Sequence, residues 1–165
     1  MNGGMELYLH MPFCVRKCAY CDFLSFPTDQ ETQNLYTRRL REDIDAMGKK
    51  YGDIPVDTIF IGGGTPSVPD SALIVGIMEH VRKAFHVAEG AEISMEANPG
   101  TVTREKLTDY RRAGINRLSF GLQSANDREL KLLGRIHTWA EFLESFHLAR
   151  ECGFTNINID LMSAL

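Results

Sequence analysis

Three of the four cysteines of this 165-residue chain fall within "HMPFCVRKCAYCDF", residues 10–23, as Cys14, Cys18 and Cys21. The fourth, Cys152, lies far away near the end of a predicted helix and reads as an inert core thiol. Thiolates at C-x3-C-x2-C spacing bind zinc, copper(I) or an iron–sulfur cluster. Structural zinc takes a closed tetrahedron of four ligands. His10 could supply the fourth, but it lies on a predicted strand and Pro12 stiffens the path between. A disulfide between two of the three thiols leaves an odd one and requires an oxidising compartment. A [4Fe-4S] cube held by three cysteines leaves one iron open to a substrate or cofactor. Zinc and the disulfide stand as the alternatives to it.

Other residues that carry chemistry are spread along the chain. "GGGTPS" (62–67) follows a predicted strand and precedes a helix, but it matches neither the P-loop nor the G-x-G-x-x-G pattern. Its glycines allow a ligand close backbone approach, or they simply make a tight turn. Glu96 and Asp160 are carboxylates inside apolar runs. Such groups are rarely buried unless paired, so an ion pair is the structural reading of each. Gln123 is comparable, and Arg135 in "LGRIH" reads equally as a helix cap. His80, His86 and His147 read as surface or packing residues, and His10 and His137 carry no assigned role.

Strands and helices alternate along the chain to position these residues. Strands are predicted at 6–11, 56–63, 91–98, 116–124 and 156–165. Helices are predicted at 30–52, 70–85, 103–114, 126–134 and 138–153. The first helix carries a rough apolar stripe of Leu35, Leu40, Ile44, Met47 and Tyr51. Asp70 and Thr103 read as N-caps. Asn126 with Glu129, and Thr138 with Glu141, have capping-box spacing. Trp139, Phe142, Leu143, Phe146 and Ala149 make the buried stripe of the last helix. Repeated strand–helix units argue for an α/β fold with parallel strands and right-handed crossovers. A doubly wound sheet and a barrel both satisfy that pattern. An apolar final strand with no helix after it predicts a portion of a barrel cut from a longer chain. Five strands each end on a cysteine, glycine or polar side chain, and chemistry in such folds gathers at that edge.

The composition is ordinary: 44% hydrophobic, 24% charged, formal net charge -4. That charge argues against a broad nucleic-acid-binding face. No apolar run is long enough for a membrane span, and the N-terminus has neither a secretory signal nor a transit pattern. "MNGG" reads as a flexible lead-in with Met5 as an alternative start. A reducing cytoplasm is the expected compartment, where clustered cysteines bind metal more often than they pair.

The cysteine motif with Tyr20 before its last cysteine, followed by "GGGTP", resembles the radical S-adenosylmethionine superfamily. "YLHMPFCVRKCAYCDF", "IFIGGGTPS", "ISMEANPGT", "GINRLSFGLQS", "LLGRIHT" and "NIDLM" occur in the order of its oxygen-independent coproporphyrinogen III oxidase group. The resemblance spans essentially the whole chain. It implies the N-terminal portion of a (β/α)6 partial barrel, so that residues 1–165 are a radical SAM core domain without its last strand and C-terminal domain. It also implies that Cys14, Cys18 and Cys21 hold a [4Fe-4S] cluster whose open iron binds S-adenosylmethionine. Gly63, Gly64 and Thr65 would lie against the methionine part, Tyr8, Tyr20 and Glu96 would contact the cofactor, and Gln123, Arg135 and Asp160 would line its pocket. The oxidase, of the coproporphyrinogen dehydrogenase type, has a fourth cysteine two residues after the third; here that position is Phe23. Asp-Phe at this place resembles the HemW branch, heme chaperones that bind heme and deliver it to acceptor proteins. Heme binding is expected of a full-length parent, and the exposed fifth strand leaves homodimerisation open.

Overall fold

The computed structural model describes residues 4–163. The lead-in expected at residues 1–3 and the last two residues of the expected fifth strand lie outside the described residues. Strands β1 (Met5–Met11), β2 (Val56–Gly63), β3 (Val87–Ala97), β4 (Arg117–Gln123) and β5 (Asn156–Leu161) alternate with helices. These are α1 (Gln30–Tyr51), α2 (Ser71–Ala84), α3 (Arg104–Arg112) and, between β4 and β5, α4 (Asp127–Leu132) and α5 (Trp139–Glu151). The strands form one sheet in the order β1-β2-β3-β4-β5, all pairs parallel. That order decides between the two architectures left open above. A doubly wound sheet reverses its order at a switch point. Here each strand adds to the same side of the last, as in a barrel.

Side chains alternate across the strands with period two. One face carries Leu9 and Met11, Ile59 and Ile61, Ile93 and Met95, Leu118 and Phe120, all nearly inaccessible and part of one core. The other face carries Tyr8 and His10, Phe60, Ser94 and Glu96, Ser119 and Gly121, Asn158 and Asp160, in register across the sheet. Glu96 and Asp160 therefore do not interrupt apolar strands. They sit on the polar side of alternating ones.

The helix caps follow the sequence. Asp70, Thr103 and Thr138 accept from the Ala72, Lys106 and Glu141 amides, and Thr138 with Glu141 completes a capping box. The box expected at Asn126 does not form. The Glu129 carboxylate is taken by the Ser124 hydroxyl, and Ser124 Oγ receives the Asn126 amide at 3.0 Å. Asn126 still caps α4 by accepting from the Arg128 amide.

The stripe expected on α1 is also corrected. Leu35 and Met47 are about half exposed, and the buried residues are Gln33, Thr37 and Ile44, with Tyr36 and Leu40 packed beside them. Thr37 and Tyr36 bury their hydroxyls because each has a carbonyl partner, Gln33 O at 2.9 Å and His10 O at 2.7 Å. Gly48 continues the stripe. A Cβ there would lie 2.5 Å from Ala84 Cβ, so glycine lets α1 and α2 touch. β3 begins at Val87, earlier than expected, because Val87 pairs with Val56 across the sheet.

Tyr110, fully buried on α3, has a hydroxyl with no hydrogen-bond partner. Burial pushes its pKa well up. Tyr110→Phe is expected to raise stability by about 1 kcal/mol, since it removes an unsatisfied polar group without opening a cavity. Urea unfolding checks this as a shift of the midpoint at constant slope.

Candidate functional site

The cysteine loop begins where β1 ends. Phe13 bridges Phe26, the Cys14 amide donates to the Phe26 carbonyl at 3.2 Å, and the Phe26 amide donates to Pro12 O at 2.9 Å. The Cys21 amide donates to the Cys18 carbonyl at 3.2 Å, a tight turn between two of the thiols. The far side of the loop is tied to the α4–α5 connection. Ala19 N–H donates to Leu133 O at 3.0 Å, and the Arg16 guanidinium donates to Gly134 O at 2.8 Å.

β2 delivers the glycine run beside this loop. The Gly64 and Thr65 amides donate to the Met11 and Phe13 carbonyls at 2.8 and 2.7 Å. Gly63 adopts φ +115°, which favours glycine, and its amide donates to Glu96 Oε2 at 3.0 Å. The run is thus neither a phosphate loop nor only a turn. It is the seam that fastens the cysteine loop to the sheet.

Cys14, Cys18 and Cys21 line one cleft together with Tyr20, Gly63, Gly64, Thr65, Glu96, Gln123, Arg135 and Asp160. The cleft is open to solvent and encloses about 150 Å³. Eleven of the twelve residues expected from the sequence meet here. Tyr8 is placed apart from the lining. It stands on the polar face of β1, 58% exposed, with its hydroxyl 3.0 Å from His10 Nδ1. His10 itself is engaged by Tyr8 and by the Leu24 carbonyl at 3.0 Å, so it is not turned toward the thiols.

Arg135 does more than cap a helix. It donates to Asn98 Oδ1 at 2.7 Å, to Gly121 O at 2.6 Å, and to Cys18 Sγ and Tyr20 Oη at 3.5 Å. One guanidinium thus joins the cysteine loop to β4 and to the loop after β3. Gln123 ends β4 with a left-handed backbone, φ 72°, costly for a residue with a side chain. Asp160 accepts from the Ser119 hydroxyl at 3.1 Å and the Asn158 amide at 2.7 Å.

Burial raises the Glu96 pKa, the Gly63 amide opposes that rise, and Asp160 adds to it. Burial also raises Tyr20, with Arg135 pulling the other way. Ser119, Arg16 and Lys17 line the cleft too and were not singled out from sequence, whereas Asn98, which with Glu96 marks the polar end of the third predicted strand, joins them there. The signal for Ser119 was available. Ser119 precedes Gln123 in β4 by an even number of steps along the chain.

The residues present fit a cluster. Three soft sulfur donors share one cleft. Among the described residues, no three His, Cys, Asp or Glu side chains gather closely enough to hold a single ion. The polar wall of carboxylates, amides and a guanidinium fits a zwitterionic ligand beside the thiols. Among the described residues, no helix is long and apolar enough to cross a membrane.

The comparisons agree with this geometry. The profile of the radical SAM superfamily matches residues 8–164. The heme chaperone HemW of Escherichia coli (strain K12) is 43% identical over 167 residues, covering 98% of this chain and 43% of that protein. HemW of Bacillus subtilis (strain 168) is 37% identical, covering 96% of this chain and 42% of that protein. The chain therefore spans less than half the length of these curated relatives. Among solved structures, the coproporphyrinogen III oxidase HemN from Escherichia coli, a radical SAM enzyme, superposes with TM-score 0.89 at 32% identity, over 98% of this chain and 38% of that one. The five-stranded sheet thus matches the N-terminal part of that enzyme's partial barrel. The hydrogenase maturase HydG, at 16% identity and TM-score 0.61, shares the fold. On this profile match and the cysteine cleft, the chain belongs to the radical SAM superfamily.

Proposed function

We propose that this chain is the cluster- and S-adenosylmethionine-binding part of a HemW-like heme chaperone of the cytoplasm. The observation that carries the reading is the convergence of Cys14, Cys18 and Cys21 on a cleft whose other walls are Gly63, Glu96, Gln123, Arg135 and Asp160. The three thiolates would hold a [4Fe-4S] cluster, and the polar wall would hold the cofactor. The bound pair supplies one-electron reductive cleavage of the cofactor's carbon–sulfur bond. The chain's own residues bind and orient. Glu96, fixed through one oxygen by the Gly63 amide, keeps its second oxygen for the ligand's ammonium. Gln123 contributes an amide at the end of β4, and Tyr20 and Phe23 flank the opening. Tyr8 would join them from the same sheet face. All four cysteines are unpaired, which suits a reducing compartment.

The HemW reading rests on the similarity to curated HemW proteins and on Phe23, which stands where the oxidase group carries a fourth cysteine. Heme and a heme-accepting protein would then be the partners of the whole protein. The superposition with HemN supports the second reading, oxidative decarboxylation of porphyrinogen propionates. Product analysis with coproporphyrinogen separates the two, since only the second yields vinyl groups.

The test of the site is anaerobic reconstitution with iron and sulfide, followed by electron paramagnetic resonance of the reduced protein with and without S-adenosylmethionine. The expected result is a [4Fe-4S]+ signal that shifts on adding the cofactor and is lost in Cys18→Ala. Zinc bound at one ion per chain, with no sulfide, would sink the reading.

A further inference from the structure

Two of the three cysteine sulfurs are linked by a continuous chain of side-chain hydrogen bonds, and its centre is Asn98. Arg135 donates to Asn98 Oδ1 at 2.7 Å and to Cys18 Sγ at 3.5 Å. Asn98 Nδ2 donates to Thr65 Oγ1 at 3.2 Å, and Thr65 Oγ1 lies 3.6 Å from Cys14 Sγ. The direction of every link follows from chemistry. A guanidinium only donates, so the oxygen of Asn98 must face Arg135 and its amino group must face Thr65. Thr65 Oγ1 then accepts a hydrogen bond from Asn98, and toward Cys14 as a thiolate ligand its own hydroxyl can only donate. Both ends of the chain present a hydrogen to a sulfur. Thr65 is 3% exposed, so its hydroxyl has little access to water as a substitute. Asn98 is held in place by its backbone amide, which donates to Ser67 Oγ at 3.2 Å. Among the described hydrogen bonds, no side-chain donor reaches the Cys21 sulfur.

We infer that Asn98 is a positioning residue that aims the Thr65 hydroxyl at Cys14 and the Arg135 guanidinium at Cys18, fixing the cysteine loop and setting the reduction potential of the cluster. The inference rests on the reading of the three cysteines as cluster ligands. Hydrogen bonds to cluster sulfurs stabilise the reduced, more negative state and so raise the potential. The two donors make Cys14 and Cys18 unlike Cys21, so the three ligands are not equivalent. None of the three chain residues needs to touch a reacting atom for this.

Two variants separate the links. Asn98→Asp is isosteric and still accepts from Arg135, but it cannot donate. The Thr65 hydroxyl turns to the new carboxylate and leaves Cys14. Thr65→Val removes the same hydrogen directly. Redox titration of the reconstituted chain, followed by electron paramagnetic resonance, is expected to give a more negative midpoint for each. For Thr65→Val the expected change in the oxidised-to-reduced ratio is up to about tenfold, which is about 59 mV for one electron. Asn98→Asp also adds charge, so the double variant decides. Its midpoint should fall short of the sum of the single shifts, because the Thr65 hydrogen can be lost only once. Additive shifts, or no shift in Thr65→Val, overturn the inference.

The chain without iron gives a second readout. Asn98→Ala should speed amide exchange across residues 14–26 at least tenfold, while Asn98→Asp should leave it near the parent rate. Unchanged exchange in Asn98→Ala overturns the inference whatever the cluster does. Failure of the parent chain to assemble a cluster would count against the functional reading, and the exchange comparison would then decide the role of Asn98 alone.

Discussion

Gly64→Ala is expected to destabilise the fold by about 2–4 kcal/mol and to abolish cluster assembly. The new Cβ would lie 2.7 Å from the Phe13 carbonyl oxygen, 2.9 Å from the Met11 carbonyl oxygen and 2.9 Å from the Phe13 amide nitrogen. All three are backbone atoms, so no side chain can swing away. Relief requires β2 and the start of the cysteine loop to part. That parting breaks the Gly64–Met11 and Thr65–Phe13 hydrogen bonds, which fasten Cys14 to the sheet. Urea unfolding measures the stability loss, and iron content after reconstitution measures the site. A variant with parental stability and full iron would show that the seam has slack the geometry denies.

Acid is the second large effect. His137 is 4% exposed, and neither ring nitrogen makes a well-aligned hydrogen bond, the Leu122 backbone lying near enough to favour the charged ring. Burial, reinforced by the Arg135 charge, lowers its pKa to about 4. An unfolded chain protonates the same ring near pH 6.5. Between those two values the unfolded state binds more protons, so stability rises with pH across that window and is fully present above it. As pH falls from 6.5 to 4 the expected loss is on the order of 3 kcal/mol from this ring alone. Carboxylates titrate in the same range, so the measurement is a difference. Unfolding free energies of the parent and of His137→Leu, taken from pH 8 to pH 4, should run parallel above pH 7. Below it the parent should fall faster. Parallel curves throughout would mean that the ring finds a proton partner when it charges.

What the sequence made legible depended on the range of the interactions involved. Strand and helix order, the caps at Asp70, Thr103 and Thr138, and the cysteine spacing are local properties, and they read directly. The α1 stripe did so only in part. Ile44 is buried as expected, but the other buried positions are Gln33 and Thr37, polar residues that a search for apolar periodicity passes over. Tyr36 and Gly48 beside them meet partners in other elements, the His10 carbonyl and Ala84. The Asn126–Glu129 box had the right spacing, but Ser124 sits close enough to claim the glutamate. Arg135 shows the same limit at the site. Its place after Gly134 suggests a cap, while its partners come from β4, the loop after β3 and the cysteine loop. Ser119 was hidden for a different reason. Glu96 and Asp160 were taken as exceptions within apolar strands, when strict alternation made their even-spaced neighbours part of the same surface.

That alternation separates two kinds of information within each strand. Successive residues serve different masters: one parity holds the helices in place, and the other composes the wall of the cleft. A replacement of one parity is judged by volume and one of the other by chemistry, and the two judgements scarcely interact, because the backbone lies between them. A lineage built on such a sheet can therefore rewrite what it binds while leaving the grammar of its interior untouched.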